Sequence, residues 1–293
     1  FNNSTVNDTS TAAHIIKGTL NLQAPDTSIT YFLGDTIPIQ WLKKGSIGNL
    51  KVEQSAKGDF TDTVVINASV APGLDDPVLN SLAPVWVTDT ANKVSEAYRV
   101  KISNIGPPPV GTELTDTSSV AFQLRPKITG ITSPAVNEVW NVGLTNKVIT
   151  WSSVSNVKTD LTKPKVKFQY LVNGGVWTDI LTAGGSPVPV EVDNENSTNN
   201  YTWVRGVADE RSEDVKIRIY FSDYGTGSAF ESLSFKIRPP ITTSLVPNPT
   251  SSNPLGLEVG TSYSNLVQWN YTGTKIATVN VRYDVDGSGT FAG

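Results

Sequence analysis

Apolar and polar residues alternate along this chain in short runs, and prolines, glycines or asparagines separate the runs. In Val215-Lys216-Ile217-Arg218-Ile219 the branched side chains fall on one side and the cations on the other, the period of a strand with one buried and one solvated face. No segment carries the period of an amphipathic helix. Three runs end in tryptophan, Ile37-Pro38-Ile39-Gln40-Trp41, Lys147-Val148-Ile149-Thr150-Trp151 and Asn265-Leu266-Val267-Gln268-Trp269, at intervals of 110 and 118 residues. A second tryptophan recurs in Val85-Trp86-Val87 and Thr202-Trp203-Val204, 117 residues apart. Nine residues after it each copy opens a strand with a Ser-Glu pair, Ser95-Glu96 and Ser212-Glu213. Each then closes on a matching strand, from Ser119 through Phe122 and Arg125 to Pro126 and from Ser232 through Phe235 and Arg238 to Pro239. Four landmarks agreeing on one period identify tandem copies of a single module.

In the second copy strands are predicted near 127–133, 147–152, 165–172, 176–182, 200–205, 214–222 and 232–238. About seven short strands per period, with turn signals between them, predict an all-β chain of tandem Ig-like or fibronectin-III-like antiparallel β-sandwiches. The repeat divides the chain into 1–18, the tail strand of a preceding repeat or an N-terminal segment; 19–126 and 127–239, two complete sandwich repeats; and 240–293, a partial third. His14-Ile15-Ile16-Lys17 precedes Leu20 much as the closing strands precede the next copy, and the third copy stops at Gly293 before its second tryptophan. The expectation is therefore a window on a much larger polypeptide that extends the repeats in both directions.

Composition narrows the chemistry. The 293 residues contain no cysteine and no methionine, and His14 is the single histidine, which excludes disulfides, thiolate metal sites, thiol nucleophiles and multi-histidine metal sites and leaves little for histidine acid–base catalysis. The net charge is −4 without a lysine or arginine cluster, so nucleic acid is not an expected partner. No apolar stretch approaches the ~20 residues of a membrane span.

The order proline, Ile-x-Trp, Trp-Val, Ser-x-x-Tyr-Arg-Val-x-Ile and Ser-x-x-Phe is carried by Pro25, Trp41, Trp86, Ser95, Tyr98, Arg99, Val100, Ile102, Ser119 and Phe122. The second copy repeats it at Pro134, Trp151, Trp203, Ser212, Ile217, Ile219, Ser232 and Phe235, with Val215 in place of the tyrosine. This order resembles the extracellular module named for the yeast cell-wall synthesis proteins and Ser/Thr-rich anchored surface proteins. The resemblance implies tandem modules of long surface or cell-wall proteins, and no enzymatic activity.

Trp41, Trp86, Trp151, Trp203, Trp269, Phe122 and Phe235 recur at fixed repeat positions in alternating strands and are expected to be core. Trp140 has no tryptophan counterpart in the first copy and is the candidate for an exposed glycan contact. Trp177 likewise lacks one, with Phe60 in its place. Asp284 and Asp286, in Asp284-Val285-Asp286-Gly287-Ser288-Gly289, offer paired carboxylates to calcium, although the aligned turns at Gly58 and Asn173-Gly174 have no such pair and read as hairpins. Asp75-Asp76 and Asp209-Glu210 are adjacent acids in polar loops rather than carboxylates flanking a cleft. Sequons mark Asn67, Asn200 and Asn270 as candidate glycosylation sites.

Together these features are expected of a non-enzymatic structural repeat segment of a large extracellular or cell-surface protein, a stalk, sheath, filament or surface layer. Its expected partners are neighbouring copies of the same protein and, secondarily, cell-wall or surface glycans, with no cofactor other than the candidate calcium. The alternative is a carbohydrate-binding or adhesive module, or accessory domains of a secreted enzyme.

Overall fold

The computed structural model describes residues 18–89, 91–105, 113–245, 261–262 and 267–282. They belong to two compact units, Phe1–Lys127 with Val154–Pro164 and Ile128–Ser153 with Lys165–Gly293.

The first unit contains β1 (Thr19–Ala24), β2 (Thr30–Phe32), β3 (Thr36–Ile37), β4 (Gln40–Lys44), β5 (Leu50–Ser55), β6 (Val64–Val70), β7 (Asn80–Ser81), β8 (Trp86–Val87), β9 (Ser95–Asn104), β10 (Thr115–Thr117) and β11 (Phe122–Arg125). One sheet runs β1-β4-β7, the other β2-β11-β9-β5-β6 with β10 on β9, and β3 pairs with β8. Among the described strands of this unit the pairings are antiparallel except that of β2 with the closing strand β11, where Tyr31 lies opposite Leu124. A first strand divided between two sheets, its second half parallel to the last strand, is an Ig-like sandwich arrangement. Leu22 and Trp41 from one sheet and Val52, Val100, Ile102, Phe122 and Leu124 from the other are all buried, so alternation delivers one face of each sheet to a common core.

The second unit repeats the plan with β12 (Lys127–Ser133), β13 (Val139–Asn141), β14 (Val148–Val154), β15 (Lys165–Val172), β16 (Thr178–Asp179), β17 (Glu191–Asp193), β18 (Ser197–Thr202), β19 (Ser212–Phe221), β20 (Phe230–Glu231), β21 (Phe235–Arg238), β22 (Ile241–Leu245) and β23 (Val267–Tyr271). Its sheets are β12-β14-β18 and β13-β21-β19-β15-β16, with β17 on β15 and β20 on β19, and β13 is parallel to β21. Ile149, Trp151, Phe168, Ile217 and Phe235 share one core cluster. The protein is thus all-β, built of Ig-like antiparallel sandwiches, with one short 3-10 turn at Gly225–Ser228 among the described residues.

The observed strands of this copy include β17 and β20, which the prediction lacks, the closing strand starts at Phe235 rather than at 232, and three further differences matter to the packing. The 176–182 strand shortens to β16, β18 ends at Thr202 instead of running through Trp203, and β13 was absent from the expectation. β13 shows why Trp140 is not the exposed contact its isolation in sequence suggested. Trp140 lies opposite Ile237 of the closing strand, as Tyr31 lies opposite Leu124, so its counterpart in the first copy is a tyrosine. It is fully buried, 5.0 Å from the Phe235 ring and 6.2 Å from Trp203.

Trp41, Trp86, Trp151, Trp203, Phe122 and Phe235 are buried. The indole N–H groups of Trp41 and Trp151 donate to the Pro72 carbonyl (2.9 Å) and to Asn194 Oδ1 (2.8 Å), which satisfies these two buried donors. Trp269 departs from the core expectation at 42% exposed. Its strand β23 pairs only with β22 among the described residues, and no second layer covers that pair there.

The Ser-Glu pair has a structural cause. Between β9 and β11, Tyr98 and Ser95 oppose Phe122 and Leu124, and between β19 and β21, Val215 and Ser212 oppose Phe235 and Ile237. Glu96-Ala97 then face the single Gln123 and Glu213-Asp214 the single Lys236, two residues against one, which makes a β-bulge at the same place in both units. The serine hydroxyls satisfy it, accepting from Ala97 N (3.0 Å) and Asp214 N (2.9 Å). The glutamates reach across to the closing strands, where Arg125 clasps Glu96 and Arg238 clasps Glu213 through paired 2.9 Å bonds. Arg238, with Lys236, holds the Glu213 carboxyl down to about 2.

Candidate functional site

The loop that follows the second tryptophan forms a corner before the bulged strand in each unit, and two features converge there. The first is an inserted segment. Residues 154–164 continue β14 in sequence but belong to the first unit. There Val94 N donates to the Val157 carbonyl at 3.0 Å, Asn156 Nδ2 donates to the Asn92 carbonyl at 3.2 Å, and Val94 forms a parallel bridge with Lys158.

At the same corner of the second unit, Asp209, 117 residues after Asn92, receives the segment that follows the third tryptophan. Its carboxylate accepts from Thr274 N at 2.9 and 3.0 Å and from Thr274 Oγ1 at 2.8 Å. The Thr274 main-chain and hydroxyl donors hold the Asp209 carboxyl below the usual carboxylate range. Gly273 makes this approach possible, for its φ is +103° and a Cβ there would lie 2.6 Å from Asp209 Oδ1.

The second feature is a recess in each corner. In the first unit it measures about 80 Å³ and is bordered by Asp62, Val64 and Ala91. In the second it measures about 310 Å³ and includes Asp179, Leu181 and Ala208, each 117 residues further on. Tyr98 borders the first recess, is 1% exposed and has its hydroxyl hydrogen-bonded to the Asn92 side chain and the Lys93 backbone, much as a tyrosine corner ties this strand to its preceding loop. Burial pushes its phenol above the ordinary range against those two bonds. Val215 stands in its place in the second unit.

The floor of the larger cleft is aromatic. Tyr170 packs on Trp203 with ring centres 5.6 Å apart, and Asp179 and Arg205 stand at its rim. Asp179 is aimed by a relay in which Gln169 Nε2 donates to its Oδ1 at 2.7 Å and Arg218 Nε donates to Gln169 Oε1 at 2.7 Å. Arg218 is itself braced by the Trp177 ring, 4.4 Å from its guanidinium carbon. The corresponding pair of the first unit is Lys101 over Phe60 at 4.9 Å, so the Phe60–Trp177 alignment marks a cation-capped hairpin in both copies. The second hairpin turns through Asn173 and Gly174, with φ of 49° and 68°, as its Asn-Gly pair demands.

The remaining candidates are dispersed. Asp75 pairs with Lys43 at 2.6 Å, and Asp209 is occupied by Thr274. Asp284 and Asp286 lie outside the described residues, as does His14. Among the described residues no three His, Cys, Asp or Glu side chains gather as a metal site. No helix there is long and apolar enough to cross a membrane. Asn67 is half-buried in β6, whereas Asn200 in β18 and Asn270 in β23 are exposed.

No protein-family profile matches the chain, and no curated protein matches it in sequence. Solved structures similar to it include fibronectin(III)-like modules of Clostridium thermocellum CbhA, at 16% identity over 75% of this chain and 93% of that one, with a TM-score of 0.22. Rst D1-D2 matches at 13% identity over 75% and 100%, with a TM-score of 0.32. The ectodomain of the teleost fish polymeric Ig receptor matches at 11% over 75% and 98%, with a TM-score of 0.27. The Ig-like assignment rests on the strand order and the parallel β2–β11 and β13–β21 pairings themselves.

Proposed function

We propose that the chain is a non-enzymatic structural segment of a large extracellular or cell-surface protein, in which tandem sandwiches add length to a stalk, sheath, filament or surface layer. The observation that carries this reading is the interleaving of the repeats. Asn92 and Val94 receive residues 156–158, and Asp209 receives Thr274, so each corner is completed by chain from the next copy. The motif's resemblance to the cell-wall module supports it too, since Trp41, Trp86, Trp151, Trp203, Phe122 and Phe235 are packing residues and Ser95 and Ser212 serve a bulge. Such a motif recurs because the module recurs, without calling for a reaction. Neighbouring copies and surface glycans are the partners of this reading.

The test is the native material. Surface proteolysis of intact source cells should release peptides of this chain, and a denaturing gel should place the parent well above 31.5 kDa. A discrete intracellular chain of 31.5 kDa would refute the proposal.

A further inference from the structure

We propose that the corner cleft of the second unit is a binding site for a single neutral sugar residue. The inference is independent of the structural role above and rests on how the two copies diverge at one place. In the first unit Tyr98 reaches into the corner and leaves about 80 Å³. In the second, the side chain at that strand position is the short Val215, and the cleft is about 310 Å³, at the lower end of the ~300–1,000 Å³ range of small-ligand sites. Large rings fill the core there by other means, since Trp140 occupies the place of Tyr31 and Tyr170 supplies the ring beside Trp203. The copy without the tyrosine thus has both a packed core and the larger recess.

The recess is equipped with polar groups as well as space. Tyr170 is half-buried, so part of its ring is available to the apolar C–H face of a pyranose. Asp179 Oδ1 is taken by Gln169, while Oδ2 makes no hydrogen bond among the described residues. The relay from Arg218 through Gln169 fixes the direction of that acceptor before any ligand arrives, which lowers the ordering cost of binding. Arg205 is exposed and makes no hydrogen bond or ion pair among the described residues, leaving its guanidinium free to donate.

An acceptor and a donor flanking an aromatic face match vicinal hydroxyl groups, each of which donates and accepts at once. An apolar side chain in the same place would leave both charged groups desolvated and unpaired. Among the residues lining the cleft Asp179 and Asp209 outnumber Arg205, and this negative balance disfavours an acidic sugar.

The experiment is an NMR titration of the full chain with glucose, galactose, mannose and N-acetylglucosamine as separate probes. At least one should saturate in the millimolar range, shifting the amides of Gly206 and Ala208 and the Tyr170 ring, while the first-unit amides of Ala91 and Lys93 stay still. Arg205→Ala, an exposed change that leaves the core alone, should weaken binding about tenfold or more by removing a charged donor, and Asp179→Asn should weaken it as well. Val215→Tyr, which restores the first-copy residue, should abolish binding. If Val215→Tyr disturbs the fold, the two rim variants decide. The proposal is overturned if none of the four sugars gives saturable shifts at the cleft, or if the shifts persist unchanged in Arg205→Ala and Asp179→Asn.

Discussion

Replacing Trp151 tests the packing argument most directly. The side chain is fully buried, lies 5.2 Å from the Phe168 ring, and donates its indole N–H to Asn194 Oδ1 at 2.8 Å. Asn194 is itself 2% exposed and turns its Nδ2 to Ser153 Oγ at 3.0 Å. Trp151→Ala therefore does two things. It empties a large core position, a loss of about 3–5 kcal/mol, and it strands a buried carbonyl acceptor, a further ~1–3 kcal/mol unless water enters. The expected total of about 4–8 kcal/mol is a large share of the ~5–15 kcal/mol typical of a domain.

Trp151→Phe separates the parts, because it retains most of the ring contact and removes the donor, and should lose about 1–3 kcal/mol. Thr150→Ala, on the opposite face of β14, should stay within about 0.5 kcal/mol. Equilibrium urea unfolding of the full chain, followed by near-UV circular dichroism with each transition fitted separately, measures all three. Equal small losses at Trp151 and Thr150 would show that the inward face of the strand is misassigned. A neutral Trp151→Phe would remove the indole–asparagine bond from the account.

Other residues give sharper, smaller tests. Ser118 and Ser232 are buried and accept from Val100 N at 2.8 Å and Ile217 N at 2.9 Å, so Ser118→Ala and Ser232→Ala should each lose about 1–3 kcal/mol by urea melt, while exposed Ser119→Ala loses almost nothing. The Asp209 carboxyl is held low by Thr274, so its contribution is full above the unfolded carboxylate pKa of ~3.9 and fades as pH falls through the depressed folded value. The Thr274 amide resonance should move over that acid range and should not in Asp209→Asn. Glu213→Gln should lower the melting temperature slightly at low salt, and the difference should vanish in concentrated salt, where ~1 M ions screen beyond about 3 Å. Calcium should leave the melting of the first two repeats, 19–239, unchanged, and a large shift there would point to a metal site that the hairpins at Gly58 and Asn173-Gly174 do not provide.

What the sequence made legible was whatever repeats with a fixed offset and a simple period. The alternation in Val215–Ile219 and the recurrence of Trp41 and Trp151 follow from one face of each strand being buried, and both can be read without coordinates. Trp140 could not be placed because its counterpart is Tyr31, a different residue 109 positions away, and the two coincide only through parallel pairing with the closing strand. The closing serine was misread by one position. Spacing aligns Ser119 with Ser232, but the hydroxyl that accepts the strand N–H in the first unit is Ser118, since the turn into β11 differs by a residue. The corner cleft was illegible for a deeper reason, being a matter of shape rather than of a repeated side chain. Val215 in place of Tyr98 was visible as a departure from the motif, but its effect on volume depends on Tyr170 and Trp140, which spacing does not connect to it.

The inserted segments carry an implication for how such an array can change over generations. Each corner and the chain it receives use their own chemistry. Asn92 offers a main-chain carbonyl to the Asn156 amide, whereas Asp209 offers a carboxylate to the Thr274 amide and hydroxyl, and Gly273 leaves room for it. Deleting one whole period would bring Asn92 against Thr274, a side-chain amide where a charged acceptor had been, with no partner for the main-chain carbonyl. Repeats of this kind resist shuffling even when each folds well, because their order is encoded at the seams. Unequal recombination, which ordinarily homogenises tandem copies, would then be selected against at these corners, and neighbouring copies would be free to diverge into specialised members of one chain.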